Sequence, residues 1–362
     1  MKRIAICNPS IEPGDAVSND MIGMYRVLVN QGHEVCLFAP DYTITEPPVK
    51  SVKEITRFLK TPNDIFIYHY ATGWDLGLKF LKDLNCRKVI KYHNVTPPEF
   101  FEGVNSDYAN VCRAGRHQLT ELTRVGVDLY ISCSEYSKHE LITAGADESK
   151  CKIVPPFHHI DRLRIIDADL NELDRYNDEN ITVLMVGRLA PNKGHNALID
   201  AFSVYSHYYN SHSRLLIVGE EAPKLQTYAM SLKNKVKSIG LEDRIIFTGK
   251  ASDKALKAYY LVADVFMITS LHEGFCVPLV EAMSMKIPVV AYGSSAVPET
   301  VGKAGLVWDE HDPELMAASV GKIVRDEHVR LSLGEMGWKR YQNMFTNEKI
   351  EAMFLETLNN LL

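Results

Sequence analysis

The sequence has no run approaching the roughly twenty consecutive apolar residues that a membrane-spanning helix needs, and it has no Cys-x-x-Cys pair. Lys2 and Arg3 precede an apolar run that ends at Asn8, too short for the core of a secretory leader. The seven cysteines, Cys7, Cys36, Cys86, Cys112, Cys133, Cys151 and Cys276, are scattered and odd in number. Several lie in apolar runs such as RIAIC and LYISC, where a thiol behaves as a small core residue. A cytoplasmic chain follows, soluble or peripheral at the inner face of a membrane. Positive charge is also short, with 40 Lys+Arg against 46 Asp+Glu, which argues against nucleic acid as the main partner. Up to residue 160 the balance is near neutral, 18 against 19, and this leaves room for a peripheral membrane contact by the first half. No G-x-G-x-x-G follows either opening strand and no G-x-x-x-x-G-K-[ST] exists, so a dehydrogenase and a P-loop kinase are disfavoured. Repeats and low-complexity segments are absent.

What is present is strand alternating with helix, which means parallel β-α-β units. A chain of 362 residues is long enough for two such domains. Strands are expected at 3–7, 34–39, 65–69, 88–92, 129–133 and 151–154, with a helix from a Ser18 cap to about Gln31 and another near 107–124. Pro155 and Pro156 close this first unit, 1–160. Residues 161–180 are charged, lack a clear apolar period and read as a linker with room for one short helix; the D-A-D at Asp167 to Asp169 has no strand leading into it and reads as solvated charge. The pattern restarts at 181–186 and runs to residue 345, and 346–362 should form a terminal helix.

The most informative stretch is ADVFMITSLHEGFCVPLVEAMSMKIPVVAY, 263–292. A buried strand at 265–268 leads through a polar loop to Pro278, placed for the start of a helix. Glu273 and Glu281 thus flank a helix N-terminus at the edge where open α/β sheets bind ligands. Such an N-terminus suits a phosphate, and carboxylates suit vicinal hydroxyls. A helix cap and a solvated surface charge would explain the same two glutamates.

The Glu-x7-Glu spacing in EGFCVPLVE, followed by PVVA and VPET, together with VGRLAPNKG at 186–194 and KYHNVTPPEFF at 91–101, resembles retaining glycosyltransferases of family 4. The resemblance implies the GT-B fold: two Rossmann-like parallel-sheet domains facing a central cleft, with the C-terminal helix crossing back onto the first. It implies a metal-independent enzyme moving a hexose-type sugar from a nucleotide sugar to a glycan or lipid-linked acceptor.

Carried over by position, Arg188 and Lys193, in a loop bounded by Gly187 and Gly194, bind the donor diphosphate. Glu273 meets the donor sugar and Glu281 the ribose. The backbone of Gly274, Phe275, Cys276 and Val277 approaches sugar and diphosphate, and Gly249 and Lys250 lie beside the base. His93 faces the transferred group. The family usually has glycine where this chain has Cys276, and a second glycine where it has Asp15, beside Gly14. Asp15 therefore faces the acceptor or caps a helix; Asn94 and Tyr68 are further acceptor-side candidates, and Glu299 reads as structural. Two other classes compete: a nucleotide-sugar epimerase of the same architecture, and a subunit that binds nucleotide sugar without turning it over.

Overall fold

Nine strands belong to the first half of the chain: β1 (Arg3–Cys7), β2 (Ser10–Ile11), β3 (Glu34–Phe38), β4 (Asp41–Tyr42), β5 (Val49–Lys50), β6 (Ile65–Tyr70), β7 (Arg87–Tyr92), β8 (Leu129–Ser132) and β9 (Cys151–Ile153). Six follow: β10 (Ile181–Val186), β11 (Ser213–Val218), β12 (Ile245–Gly249), β13 (Val265–Ile268), β14 (Val289–Tyr292) and β15 (Gly305–Trp308). In the computed structural model, which describes residues 1–362, they form two main sheets in separate units, plus the short β2–β4 pair. The first sheet has the order β5-β3-β1-β6-β7-β8-β9 and the second β12-β11-β10-β13-β14-β15. Every strand pair is parallel. Both orders reverse direction beside their first strand, between β1 and β6 and between β10 and β13. That is the Rossmann-type doubly wound arrangement, with a switch point in each sheet.

The first unit comprises residues 1–98, 109–159 and 346–362. Strand pleating sends alternate residues to opposite faces. Ala5, Cys7, Phe66, Tyr68, Ile90 and Tyr92 pack in one core, while Ile4, Ile6, Ile65, Ile67 and Val89 pack in the other. The second core also takes Met21, Met24 and Leu28 of the helix Ala16–Asn30, and Ile350, Phe354 and Leu358 of the helix Asn347–Leu358. Asn347 ties that last helix down, receiving the His158 N–H at 3.3 Å and donating to the His158 carbonyl at 3.0 Å.

The second unit comprises residues 99–108 and 160–345. Its core joins Val183, Met185, Leu215, Ile217, Val265 and Met267 of the sheet to the helices His195–Tyr208, Gln226–Ser238 and Pro313–Arg325.

Three expectations change. Residues 161–180 are no linker: they form the helices Ile160–Ile165 and Leu170–Tyr176 within the second unit. Asp169 caps the latter, and Tyr259 donates to Glu172 at 2.9 Å, so side chains from the helix Asp253–Val262 supply the order that an apolar period would have supplied. Residues 99–108 leave the first unit, with Val104 packing on the second core and Asn105 donating to the Lys224 carbonyl at 2.8 Å. The helix cap at 16–30 is Asp15, not Ser18; its carboxylate accepts from the Ser18 N–H at 2.9 Å and the Ser18 hydroxyl at 3.0 Å.

Phe354 is wholly buried against Phe157, their rings edge-on at 5.8 Å. Phe354→Ala should cost about 3–5 kcal/mol; denaturant unfolding measures it, and a loss within error would mean that the terminal helix is not part of that core.

Candidate active site

In the second unit the switch point lies between the loops that follow β10 and β13. Those loops are stitched together by backbone. Gly194, left-handed at φ 68°, packs so tightly on Thr269 that a Cβ there would lie 2.0 Å from the Thr269 carbonyl oxygen. Thr269 donates its hydroxyl to the Gly194 carbonyl at 2.9 Å, and the Leu271 N–H donates to the Asn192 carbonyl at 2.8 Å.

This stitching sets Lys193 against Glu273. The ammonium donates to both carboxylate oxygens, at 2.8 and 2.9 Å. Ser270 donates to Oε1 at 2.7 Å, and the Glu273 N–H donates to the Ser295 hydroxyl at 2.7 Å. Glu273 is buried and Lys193 half-buried, so the pair sits at a protein edge with water on one side. An ammonium has three N–H groups; two are used here, and one remains for a ligand.

Cys276 carries the local strain. Its φ of 75° and ψ of 75° put a non-glycine residue in the left-handed region, immediately before the helix Val277–Ser284. The turn keeps the positive φ that a glycine would adopt freely. Val277, not Pro278, is the first helical residue. Phe275 turns inward onto Phe345, and its carbonyl accepts from the Thr300 hydroxyl at 2.7 Å, next to Glu299 in the helix Val297–Val301. Gly274 continues the same loop. Glu281 is buried, and Tyr260 donates to its Oε2 at 2.6 Å. Burial, reinforced by that carboxylate, holds the Tyr260 hydroxyl well above its ordinary pKa, so it remains a donor.

The other residues of this edge are more open. Gly187 follows β10, and its N–H donates to Val218 at 2.9 Å. Arg188 is exposed, its guanidinium 5.7 Å from the centre of the Tyr108 ring. Gly249, at φ 71°, ends β12 and accepts from the Gly219 N–H at 3.0 Å. Lys250 is exposed and 3.9 Å from an equally exposed Glu220, a pairing of little energy. The structure thus brings Gly187, Arg188, Lys193, Gly249, Lys250, Glu273 to Val277 and Glu281 to one sheet edge. Tyr260 was not anticipated; only its place one helix before β13 could have drawn attention to it.

In the first unit the residues fall differently. His93 follows β7 with its side chain 7 % exposed, and its Nε2 is 2.9 Å from His69 Nδ1 and 3.5 Å from Asp20 Oδ2. Lys91 is wholly buried, its Nζ 3.6 Å from Asp20 Oδ2, and it donates to the Val154 carbonyl at 2.5 Å. His69 and Lys91 are cross-strand partners, and each continues an apolar stripe, Ile65–Ile67 and Val89, on the face that the helix of Asp20 covers. A charged residue is almost never fully buried unless paired; Lys91 inside the apolar run KVIKY was the signal available for this cluster. Asp20, His69 and His93 also offer three atoms within 4.8 Å of one another, a spacing open to a metal ion.

The acceptor-side candidates do not converge. Tyr68 is wholly buried in an aromatic core with Phe66, Tyr70 and Trp74, which withdraws it from contact with any acceptor. Asn94 is buried, and its amide donates to Glu140 at 2.7 Å and to Ser137 at 3.2 Å. Asp15 is occupied as a cap, and Gly14 before it is an exposed left-handed turn.

The fold places the chain among GT-B structures. HepE of Anabaena, solved with UDP and glucose, superposes with a TM-score of 0.80 over 99% of this chain and 100% of that one, at 18% identity. Sucrose-phosphate synthase of Thermosynechococcus elongatus gives 0.77 over 100% and 99%, also at 18% identity. Residues 168–340 match the sequence model of glycosyl transferases group 1. That match lies within the second unit. Mannosylfructose-phosphate synthase of Agrobacterium fabrum is 30% identical over 208 residues, 56% of this chain and 46% of that protein. A GDP-mannose-dependent alpha-(1-6)-phosphatidylinositol monomannoside mannosyltransferase of Mycobacterium tuberculosis is 30% identical over 223 residues, 59% of this chain and 56% of that protein. The chain thus matches about half the length of these relatives. No helix is long and apolar enough to cross a membrane.

The strain at Cys276 can be measured. Cys276→Ala and Cys276→Gly both remove the thiol, but only glycine relieves the left-handed backbone. Cys276→Gly should be the more stable of the two by about 1 kcal/mol; a more stable alanine variant would show that the turn relaxes instead.

Proposed function

We propose that the protein is a retaining, metal-independent glycosyltransferase that moves a hexose-type sugar from a GDP- or UDP-sugar to a hydroxyl of a glycan or lipid-linked acceptor, in cell-surface polysaccharide or glycolipid assembly. The observation that carries this reading is the Lys193–Glu273 pair, held on both carboxylate oxygens at the switch point of the second sheet. A cation there meets the charge that grows on a departing diphosphate. The carboxylate beside it accepts hydrogen bonds from sugar hydroxyls. The match of residues 168–340 to glycosyl transferases group 1, a similar mannosyltransferase described as GDP-mannose-dependent and a GT-B structure solved with UDP all favour a nucleoside diphosphate donor.

Each residue then has a task. Lys193 and Arg188 balance the diphosphate as the bond to the sugar breaks. Glu273 orients the sugar, and the backbone from Gly274 to Val277 lies along it. Glu281 takes the ribose hydroxyls, with Tyr260 holding the carboxylate in place. Gly249 and Lys250 flank the base. His93, by family resemblance, meets the transferred sugar. As the glycosidic bond lengthens, positive charge builds on the sugar ring, and the leaving phosphate accepts the proton of the attacking hydroxyl on the same face. The bond to the acceptor oxygen forms there, and configuration is retained without a separate base.

Two measurements test the reading. Lys193→Ala should reduce kcat by roughly 10²–10³ with the fold intact, the loss expected when one pre-organised donor is removed. Near-normal turnover would dismiss the leaving-group role. Calorimetry with GDP and UDP should show one nucleotide bound by the wild type and lost in Glu281→Ala. Equal affinity in both proteins would remove the ribose assignment, and release of a changed sugar without an acceptor would point to an epimerase.

A further inference from the structure

The cluster around His93 holds Lys91 and Asp20, both wholly buried; burial pushes the Asp20 carboxyl up to about 6, against the pull of the Lys91 charge, so it is an anion at neutral pH. Asp20 Oδ1 accepts the Phe157 N–H at 2.8 Å. Its Oδ2 makes no hydrogen bond, although Lys91 Nζ, His93 Nε2 and His69 Nδ1 face it at 3.6, 3.5 and 4.0 Å. From the remaining side Cys133 Sγ lies 3.7 Å from His93 Nδ1. Both ring nitrogens of His93 therefore point at protein atoms. Its Nε2 shares a hydrogen bond with His69, and the proton in that bond lies beside the Asp20 carboxylate.

We propose that Lys91, Asp20 and His69 are positioning residues that keep the His93 ring uncharged and turned toward His69. The charge count supports this: Lys91 already balances Asp20, so a proton on His93 would put two cations against one anion where no water can screen them. Burial, followed by the Lys91 charge, holds His93 well below its ordinary pKa, and burial does the same to His69. The Cys133 thiol is pushed up to about 11 by burial and adds no charge. The three atoms whose spacing suits a metal meet the same objection, since the Lys91 ammonium already occupies the cation's place beside Asp20.

The benefit to catalysis rests on the glycosyl-transfer reading. Beside a sugar ring gaining positive charge, an imidazolium would oppose the transition state, whereas a neutral ring does not.

Charge replacement tests the proposal. Lys91→Met removes the cation that holds the Asp20 pKa down, and the proton that the buried site then takes up should reside on His93; a His93 that stays neutral, with the proton on Asp20, would overturn the proposal. The double variant Lys91→Met with Asp20→Asn is neutral again and should return His93 to the uncharged state. The full-length protein labelled with ¹⁵N-histidine reports this directly by NMR, with His93 assigned by its absence in His93→Gln. His93 should stay neutral from pH 8 to pH 5.5 in the wild type and the double variant, and titrate in Lys91→Met. Between pH 8 and pH 6, kcat should fall about tenfold in Lys91→Met, as expected for a pKa about one unit above the lower pH, with KM for the donor little changed. The double variant should follow the wild-type profile. Titration of wild-type His93 near 6.5, or identical profiles for single and double variants, would overturn the proposal. So would stoichiometric zinc binding that His69→Phe abolishes. If the wild type transfers no sugar, the functional reading fails alone, because the NMR comparison still decides the positioning role.

Discussion

The contact between Gly194 and Thr269 decides the chemistry of the second unit. Two loops from adjacent parallel strands would ordinarily stand a side chain apart. Here one of them has no side chain, and the backbones touch. At that separation Lys193 reaches both oxygens of Glu273, while Ser270 holds the carboxylate and Ser295 holds the Glu273 backbone N–H. The left-handed turns at Gly194 and Cys276 each follow one member of the pair in sequence, one at no steric cost and one under strain. A non-glycine residue in such a turn persists only where its surroundings over-determine it. The bonds to Phe275 and the N-terminus of the following helix supply that determination.

The two units hold their charges in opposite ways. Lys193 and Glu273 lie at an edge, where a ligand can join or displace part of the pairing. Lys91 and Asp20 are shut inside, where each is the nearest full charge to the other and the remaining partners are backbone groups and neutral imidazoles. A buried pair of this kind adds little to net stability, but removing one member is costly because the survivor remains uncompensated. Such a pair suits the fixing of a neighbour's state better than the binding of a substrate.

Much of this was legible in the sequence, and the reasons differ by element. Strands such as Ile181–Val186 and Val265–Ile268 were readable because parallel strands buried on both faces are continuous apolar runs. The edge of the second unit was readable because most of its residues lie in the short stretches 187–194 and 273–281, at fixed spacing. The cluster around His93 was not, since Asp20, His69 and Lys91 come from a helix and two strands, and only sheet register unites them. Residues 161–180 misled because their order comes from capping and from hydrogen bonds to another helix, neither of which leaves an apolar period. Tyr68 misled because a hydroxyl on a strand reads as polar while its ring belongs to the core.

The first unit is discontinuous in the chain: its core takes residues from the first strand and from the helix Asn347–Leu358, and the whole second unit is encoded between them. On the ribosome this inverts the usual order, in which the N-terminal domain folds first. The second unit has all its residues once Phe345 has emerged, whereas the first still exposes the groove that Ile350, Phe354 and Leu358 will fill. Until synthesis has passed Leu358 the nascent protein therefore carries an apolar surface attractive to chaperones. A prematurely terminated product would carry the same mark, with a finished second unit attached to an unfinished first one.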